Sequence, residues 1–128
     1  MKIGIDLHGV VDSDPTFFKK LLTYMTICDI EVNIVSGPPK TEIINELNEL
    51  GFKKRIHYKE VYSIVDFLKE SGVRMSQDKY DRWWSNEEDW CKSKARICDR
   101  HSISCMIDDK EMYKSSFEHT NCKFLLFV

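Results

Sequence analysis

The chain has 128 residues, which favours a single domain around one hydrophobic core. Apolar residues make up 42% of it and charged residues 31%, as in ordinary globular proteins, and no apolar run approaches the roughly 18–20 residues needed to span a bilayer. The net charge of -2 gives no sign of a broad basic field for nucleic acid, although a local basic patch is compatible with it.

The five cysteines are scattered along the chain and form no Cys-x-x-Cys pair. An odd number of cysteines without regular spacing favours reduced thiols. The sequence also starts with a strand-like segment rather than with a signal peptide, so we expect a cytoplasmic protein. Zinc binding is disfavoured, because the His and Cys residues do not form two pairs at the spacing of zinc ligands.

Strands and helices alternate in the first half of the sequence. A strand is predicted over Lys2–Asp6, and Asp14 followed by Pro15 predicts the start of a first helix. A second strand is predicted over Glu31–Val35. A second helix is predicted over about Lys40–Leu50, where a glycine follows and ends it.

The middle of the sequence is less regular. A short third strand is predicted near Arg55–His57, and a third helix over about Val61–Glu70. Ser85 and Glu88 match a capping box, which predicts the start of a fourth helix that runs to about Arg100.

The last part of the sequence predicts two more strands. The first covers Ser102–Ile107, and a short helix separates it from the second, Cys122–Val128, which is almost wholly apolar, as a buried parallel strand should be. Alternating strands and helices predict a three-layer α/β/α Rossmann-like sandwich, with about five parallel strands in the order 3-2-1-4-5. Residues 1–128 then form one domain, in which Val73–Asp89 is at most a small flap.

Polar side chains stand where three of these strands end. Asp6 ends the first strand, Ser36 follows the second, and Asp108 and Asp109 follow the fourth. In an open α/β sheet, ligands bind at the carboxyl ends of the strands. Together with Lys94 from the late helix, these residues offer three carboxylates, one hydroxyl and one ammonium group. This combination predicts a site for Mg²⁺ and phosphate.

These segments, in this order, resemble the four motifs of the haloacid dehalogenase superfamily of phosphohydrolases. The first motif of that family, a strand followed by Asp-x-Asp-Gly-(Thr/Val), reads Asp6-Leu7-His8-Gly9-Val10 here. Ser36 is similar to the second motif, Lys94 to the third, and the Asp108-Asp109 pair to the fourth. The resemblance extends over nearly the whole chain, and it implies a small member of the family without a full cap domain.

The catalytic roles follow from chemistry and from the resemblance together. A carboxylate can attack a phosphoryl group and form an aspartyl-phosphate, and Asp6 is placed for that. Ser36 offers a hydroxyl to a phosphate oxygen, and Lys94 balances the negative charge of Asp6 and phosphate. The predicted function is therefore a Mg²⁺-dependent phosphohydrolase.

The predicted metal ligands are oxygen atoms, which Mg²⁺ prefers. Asp6 and Asp108 are expected to hold the ion, with Asp109 binding directly or through water. The resemblance implies that the backbone carbonyl of His8 completes the shell.

His8 is a departure from the family pattern, which usually has a second aspartate at this position. That aspartate gives a proton to the leaving group and then acts as a base for water. Histidine can gain and lose a proton near neutral pH, so His8 is a candidate for the same role. The alternative is a non-catalytic phosphate- or partner-binding module on the same fold.

Other site residues also have simpler interpretations. The alternative for Ser36, which precedes Gly-Pro-Pro, is that it simply caps the second helix. The alternative for the Asp108-Asp109 pair is that it simply caps the helix after the fourth strand. Lys92 is the alternative to Lys94 as the motif lysine.

The interval between Asp6 and Ser36 has room for only one helix, which leaves the site open. An open site suits a bulky phosphorylated substrate, such as a nucleotide, a nucleic-acid end or a phosphoprotein, and no membrane partner is expected. Trp90 is expected to pack in the core. Trp83 and Trp84 are adjacent and point in different directions, so one of them can face a substrate and stack on a base.

Overall fold

The structure, a computed structural model, describes residues 1–128. Its strands are β1 (Lys2–Ile5), β2 (Glu31–Ser36), β3 (Glu60–Ser63), β4 (Ser76–Gln77), β5 (Trp83–Trp84), β6 (Cys105–Asp108) and β7 (Lys123–Leu126). Its α-helices are α1 (Pro15–Ile27), α2 (Lys40–Glu49), α3 (Ile64–Glu70) and α4 (Glu87–Arg100). Two short 3₁₀ helices cover Val11–Ser13 and Glu111–Phe117. No helix is both long and apolar enough to cross a membrane.

Five strands form one parallel sheet in the order β3-β2-β1-β6-β7. Counted within this sheet alone, that is the predicted order 3-2-1-4-5, and the prediction is confirmed. The strand β1 lies at the centre, between β2 and β6. Because all five strands run in the same direction, the residues that follow β1, β2 and β6 meet at one edge of the sheet.

Helices flank the sheet on both faces, and each face has its own apolar cluster. One cluster contains side chains of α1 and α2, such as Phe18 and Leu47. The other contains side chains of α3 and α4, such as Leu68 and Ile97. Burial of these apolar faces is the main force that holds the three layers together.

The third strand lies further along the chain than predicted. Arg55–His57 form a turn, in which Arg55 has a positive φ of 73° and the amide of His57 donates to the Lys53 carbonyl. The strand β3 instead uses residues that were predicted to start the helix. Alternate residues of β3 are buried, as in a strand with one covered face. The hydroxyl of Ser63 then accepts a hydrogen bond from the amide of Asp66 and caps α3.

Two further predictions differ in detail from the structure. The cap of α4 is Asn86, whose side chain accepts from the amide of Asp89 at 2.8 Å. The predicted cap Ser85 donates its hydroxyl hydrogen to the Asn86 carbonyl instead. The last strand is not buried, because β7 is the edge of the sheet and has a neighbour on one side only; Leu125 and Leu126 are exposed.

The interval between α3 and α4 contains a small antiparallel hairpin. Its strands β4 and β5 pair Ser76 with Trp84 and Gln77 with Trp83. This hairpin is separate from the main sheet. It lies within the stretch 73–89, for which a flap was predicted from the sequence.

Candidate active site

Three carboxylates meet where β1 and β6 end. Asp6 follows β1 directly, Asp108 is the last residue of β6, and Asp109 follows it. Oxygen atoms of the three carboxylates lie within 4.8 Å of one another. The pairing of β1 with β6 produces this arrangement, because it brings together two segments from near opposite ends of the chain.

Lys94 reaches this cluster from α4. Its side chain is only 2% exposed, and its Nζ lies 3.3 Å from Oδ2 of Asp6 and makes a still closer contact with Oδ2 of Asp108. The alternative lysine, Lys92, is exposed on the same helix and pairs with Glu88 at 2.6 Å. The helix α4 therefore directs Lys94, and not Lys92, into the acidic cluster.

Burial and charge act in opposite directions on these groups. Burial raises the pKa of Asp6 above its ordinary value, repulsion by Asp108 adds to this effect, and attraction to Lys94 opposes it. Burial by itself would lower the pKa of Lys94, but the two carboxylates outweigh it and hold that pKa above its ordinary value. Lys94 is therefore an ammonium ion at neutral pH. A further cation at the cluster would favour the ionised form of Asp6.

Several oxygen atoms of the site have no partner within the protein. Four buried side-chain polar atoms of the chain lack a hydrogen bond, and three belong here: Oδ1 of Asp6, Oδ1 of Asp109 and Oγ of Ser36. The fourth, on Asn33, lies inside β2. Unpaired buried oxygens are costly, so their concentration at one place indicates a ligand.

The donor set fits Mg²⁺, which takes hard oxygen ligands. Asp6 and Asp109 each contribute an unpartnered oxygen. Asp108 differs, because one of its oxygens contacts Lys94 and the other accepts a hydrogen bond from the amide of Lys110 at 2.9 Å. Asp108 is therefore a member of the cluster that also stabilises the turn after β6. It does not cap the following 3₁₀ helix, because Lys110 is at the cap position of that helix and no side chain bonds there, so the capping interpretation of the acid pair is wrong.

Ser36 is fully buried at the end of β2 and is close enough to Asp6 to favour the ionised form of that carboxyl, but its hydroxyl has no hydrogen-bond partner within the protein. It does not cap α2, because the residue at the cap position is Pro39 and no side chain bonds there. The capping interpretation of Ser36 is therefore wrong. Its hydroxyl is left free for another group.

The loop after β1 is shaped by Gly9. This residue has a φ of +84°, and a Cβ on it would lie 2.1 Å from Oδ2 of Asp109. A side chain here would both strain the backbone and displace an acid of the cluster. The amide of Gly9 donates to the carboxylate of Asp12 at 2.7 Å, and Asp14 caps α1 by accepting from the amide of Phe17. Asp12 is thus a turn residue, and Asp14 caps the first helix, as predicted.

The side chain of His8 points to α2 rather than into the acidic cluster. Its Nε2 lies 2.5 Å from Oε2 of Glu46, and both side chains are about half exposed. The imidazole therefore has a carboxylate partner that the sequence did not reveal. Glu46 is an ordinary helical glutamate by pattern, and only the packing of the first loop on α2 identifies it.

Two aromatic residues complete the surroundings of Lys94. The ring of Tyr113 is centred 4.6 Å from Lys94 Nζ, and its hydroxyl accepts a hydrogen bond from Nε1 of Trp90 at 2.9 Å. Burial raises the pKa of Tyr113, so the hydroxyl is neutral. The Trp90 ring borders the backbone of Gly37, directly after Ser36. The core role expected for Trp90 thus extends to the site. The contact of Tyr113 with Lys94 is tertiary, and no pattern in the sequence indicated it.

No protein-family model matches the chain, and no curated protein is significantly similar to it. Three chains of solved structures match. One is the crystal structure of an uncharacterized protein from Corynebacterium glutamicum, with a TM-score of 0.59 and 17% sequence identity over 99% of this chain and 84% of that chain. At this identity the likeness shows the fold alone. The likeness agrees with the parallel α/β fold of this chain, and the acidic cluster at the strand ends is an observation of this structure alone. Neither assigns the chain to a family.

Proposed function

We propose that the chain is a Mg²⁺-dependent phosphomonoester hydrolase that works through an aspartyl-phosphate on Asp6, as the resemblance to haloacid dehalogenase enzymes implies. One observation carries the proposal. Unpartnered oxygens of Asp6, Ser36 and Asp109 gather beside the buried ammonium group of Lys94. These are the ligand types that a phosphoryl group and a hard cation require.

In the first step, one carboxylate oxygen of Asp6 attacks phosphorus. A bond forms between that oxygen and phosphorus, and the bond from phosphorus to the leaving oxygen breaks, with its electron pair staying on the leaving oxygen. In the second step, water attacks phosphorus and the Asp6–phosphorus bond breaks, which releases inorganic phosphate and restores the carboxylate. Bound Mg²⁺ would supply charge neutralisation for the transferring group, held by Asp6, Asp108, Asp109 and the His8 carbonyl.

The remaining groups bind and orient the phosphate. Lys94 contributes a fixed positive charge, and Ser36 contributes a hydroxyl donor. The amides of His8 and Gly37, in the loops after β1 and β2, donate to no other group within the protein and add two more donors. Such donors are effective because they are already in place before the reaction.

His8 is the proposed proton donor to the leaving oxygen and the base for water, with Glu46 holding its ring. The hydrogen bond between them resembles the way in which a carboxylate orients a catalytic histidine in other enzymes. The same contact favours a second candidate, a non-catalytic phosphate-binding module, because it ties the imidazole to α2. The preferred substrate is a bulky phosphomonoester, such as a nucleotide, a nucleic-acid end or a phosphoprotein.

Release of phosphate from an aryl phosphate, with and without Mg²⁺, separates the two candidates. The wild-type protein should release phosphate only with Mg²⁺, and Asp6→Asn should lower the rate about 10³-fold or more. Asp14→Asn, which changes a nearby helix cap, is the matched control and should keep full activity. A wild-type protein that binds phosphate but releases none would support the binding module.

A further inference from the structure

We propose that the hairpin β4–β5 binds single-stranded nucleic acid, with bases stacked on Tyr80 and Trp84. We call the surface made by Asp78, Tyr80, Arg82 and Trp84 the hairpin face. The inference goes beyond the proposed function and does not depend on hydrolysis at Asp6. It rests on three observations about exposure, orientation and charge.

The first observation is that the hairpin displays its aromatic side chains instead of burying them. Neighbouring residues of a strand point to opposite faces, so Trp83 and Trp84 cannot pack on the same side. Trp83 is half-buried, with the ammonium group of Lys69 from α3 lying 3.7 Å from its ring centre. Trp84 is 54% exposed and Tyr80 is 64% exposed. Two large aromatic rings thus face solvent on one small hairpin.

The second observation is that Asp78 holds this face in place. Its Oδ1 accepts hydrogen bonds from the amides of Tyr80 and Arg82 at 2.8 and 3.0 Å. Its Oδ2 accepts from Nε of Arg82 at 2.9 Å and from Nε1 of Trp84 at 3.0 Å. The hydrogen bond from Trp84, together with the others, lowers the pKa of Asp78 to about 2. The indole is therefore fixed by its edge, which reduces the entropic cost of stacking on its exposed part.

The third observation is that cations stand beside both exposed rings. The guanidinium group of Arg82 lies 5.2 Å from the ring centre of Tyr80 and 5.7 Å from that of Trp84. The ammonium group of Lys79 lies 5.0 Å from the ring centre of Tyr80. A single-stranded nucleic acid offers its base faces to the two rings and its phosphates to the cations beside those rings. Nε of Arg82 is already paired with Asp78, but Lys79 has no carboxylate partner, and a purely apolar ligand would leave it without an anion. A duplex keeps its base faces stacked inside.

The experiment measures the fluorescence anisotropy of two labelled single strands of 12 nucleotides, oligothymidine and oligouridine. Neither strand has a terminal phosphate, so the Asp6 site has no phosphomonoester to bind. At low salt, at least one strand should bind with a Kd of about 10⁻⁴ to 10⁻⁶ M. Trp84→Ala or Tyr80→Ala should weaken binding about fivefold to a hundredfold. Lys79→Ala should make the salt dependence shallower.

Tyr24→Ala is the matched control, because Tyr24 is an equally exposed tyrosine (67%) on α1. It should leave the affinity unchanged. The proposal is overturned if neither strand binds, if a duplex of the same length binds as tightly, or if Tyr24→Ala weakens binding as much as Tyr80→Ala. Since the strands carry no monoester, a failure here leaves phosphatase activity untouched. Conversely, an inert Asp6 site leaves strand binding unaffected.

Discussion

Nε1 of Trp90 donates a hydrogen bond to the hydroxyl of Tyr113, and the two residues together border Lys94 and the loop after Ser36. The contact joins α4 to the 3₁₀ helix Glu111–Phe117, which follows the acid pair. The ammonium group of Lys94 thus contacts the Tyr113 ring as well as the two carboxylates, and the Trp90 hydrogen bond holds that ring.

A double-mutant cycle should detect this hydrogen bond. Tyr113→Phe removes the acceptor and leaves the ring near Lys94, so the free energy of unfolding should fall by about 1 kcal/mol. Trp90→Phe should also destabilise the protein, and the double variant should lose less than the sum of the two. Urea unfolding of the four proteins measures the coupling. Strictly additive losses would show that the hydrogen bond contributes nothing.

Removal of Lys94 should be severe, because it leaves Asp6 and Asp108 buried without their cation. Lys94→Met is expected to lower the free energy of unfolding by about 3–5 kcal/mol. The exposed ion pair of Lys92 and Glu88 contributes little to stability, so Lys92→Met should lower the free energy of unfolding by less than about 1 kcal/mol. Adding Asp108→Asn to Lys94→Met should recover part of the loss. Similar values for Lys92→Met and Lys94→Met would refute the buried ion pair.

Mg²⁺ should stabilise the folded chain through the acidic cluster. A ligand at ten times its Kd adds about 1.4 kcal/mol, so the thermal midpoint of the wild-type protein should rise with millimolar MgCl₂. Asp6→Asn/Asp109→Asn removes the two carboxylates with unpartnered oxygens and should abolish the rise. Asp14→Asn should keep it. A thermal midpoint that does not change with Mg²⁺, or that rises equally in the double variant, would argue against a metal site.

Variants of His8 test the proposed proton donor. General acid catalysis contributes about 10²–10⁴-fold, so His8→Ala should lower kcat, most for an aryl phosphate with a poor leaving group. Phosphate binding should change little, since it rests on Ser36, Lys94 and the metal. His8→Asp should keep or raise turnover, and Glu46→Gln should lower it less than His8→Ala. If His8→Ala matches the wild-type protein with every leaving group, His8 has no catalytic role.

Acid should destabilise the protein through His57. Burial lowers the pKa of this residue, with the charge of Lys19 adding to the effect, and its neutral Nδ1 accepts a hydrogen bond from the Lys53 amide at 2.8 Å. The folded pKa lies below the unfolded value of about 6.5, so the unfolded state binds protons first as the pH falls. This contribution to stability is complete above about pH 6.5 and declines as the pH falls toward the folded pKa.

His57→Asn keeps a hydrogen-bond acceptor but cannot titrate in this range. Its free energy of unfolding should therefore fall less between pH 7 and pH 5 than that of the wild-type protein. Each unit of pKa difference corresponds to about 1.4 kcal/mol, which urea unfolding at the two pH values can resolve. Equal losses in the two proteins would exclude His57 as the source.

The sheet order and the positions of Asp6, Ser36 and Asp108 were predictable because each follows an apolar, β-branched run, and such runs form the strands of parallel sheets. The strand β3 was misplaced because it runs directly into α3 without a loop, so its apolar residues extend the helical pattern. Only pairing with β2 shows where the strand ends and the helix begins. The predicted strand order already put the last strand at the edge of the sheet, and the exposure of β7 follows from that position. The expectation that this strand is buried was wrong because it relied on apolar composition alone. The contacts of Glu46 and Tyr113 are tertiary, so no local pattern could reveal them.

The central place of β1 has a consequence for folding. Its partner β2 follows it closely in the sequence, but β6 lies near the other end, so Asp6 cannot meet Asp108 until most of the chain has been synthesised and has docked. Such non-local pairing is slow to form. An N-terminal fragment ending before α4 would carry Asp6 and Ser36 with neither their cation nor the second acid. The acidic cluster therefore assembles late in folding, when β6 pairs with β1.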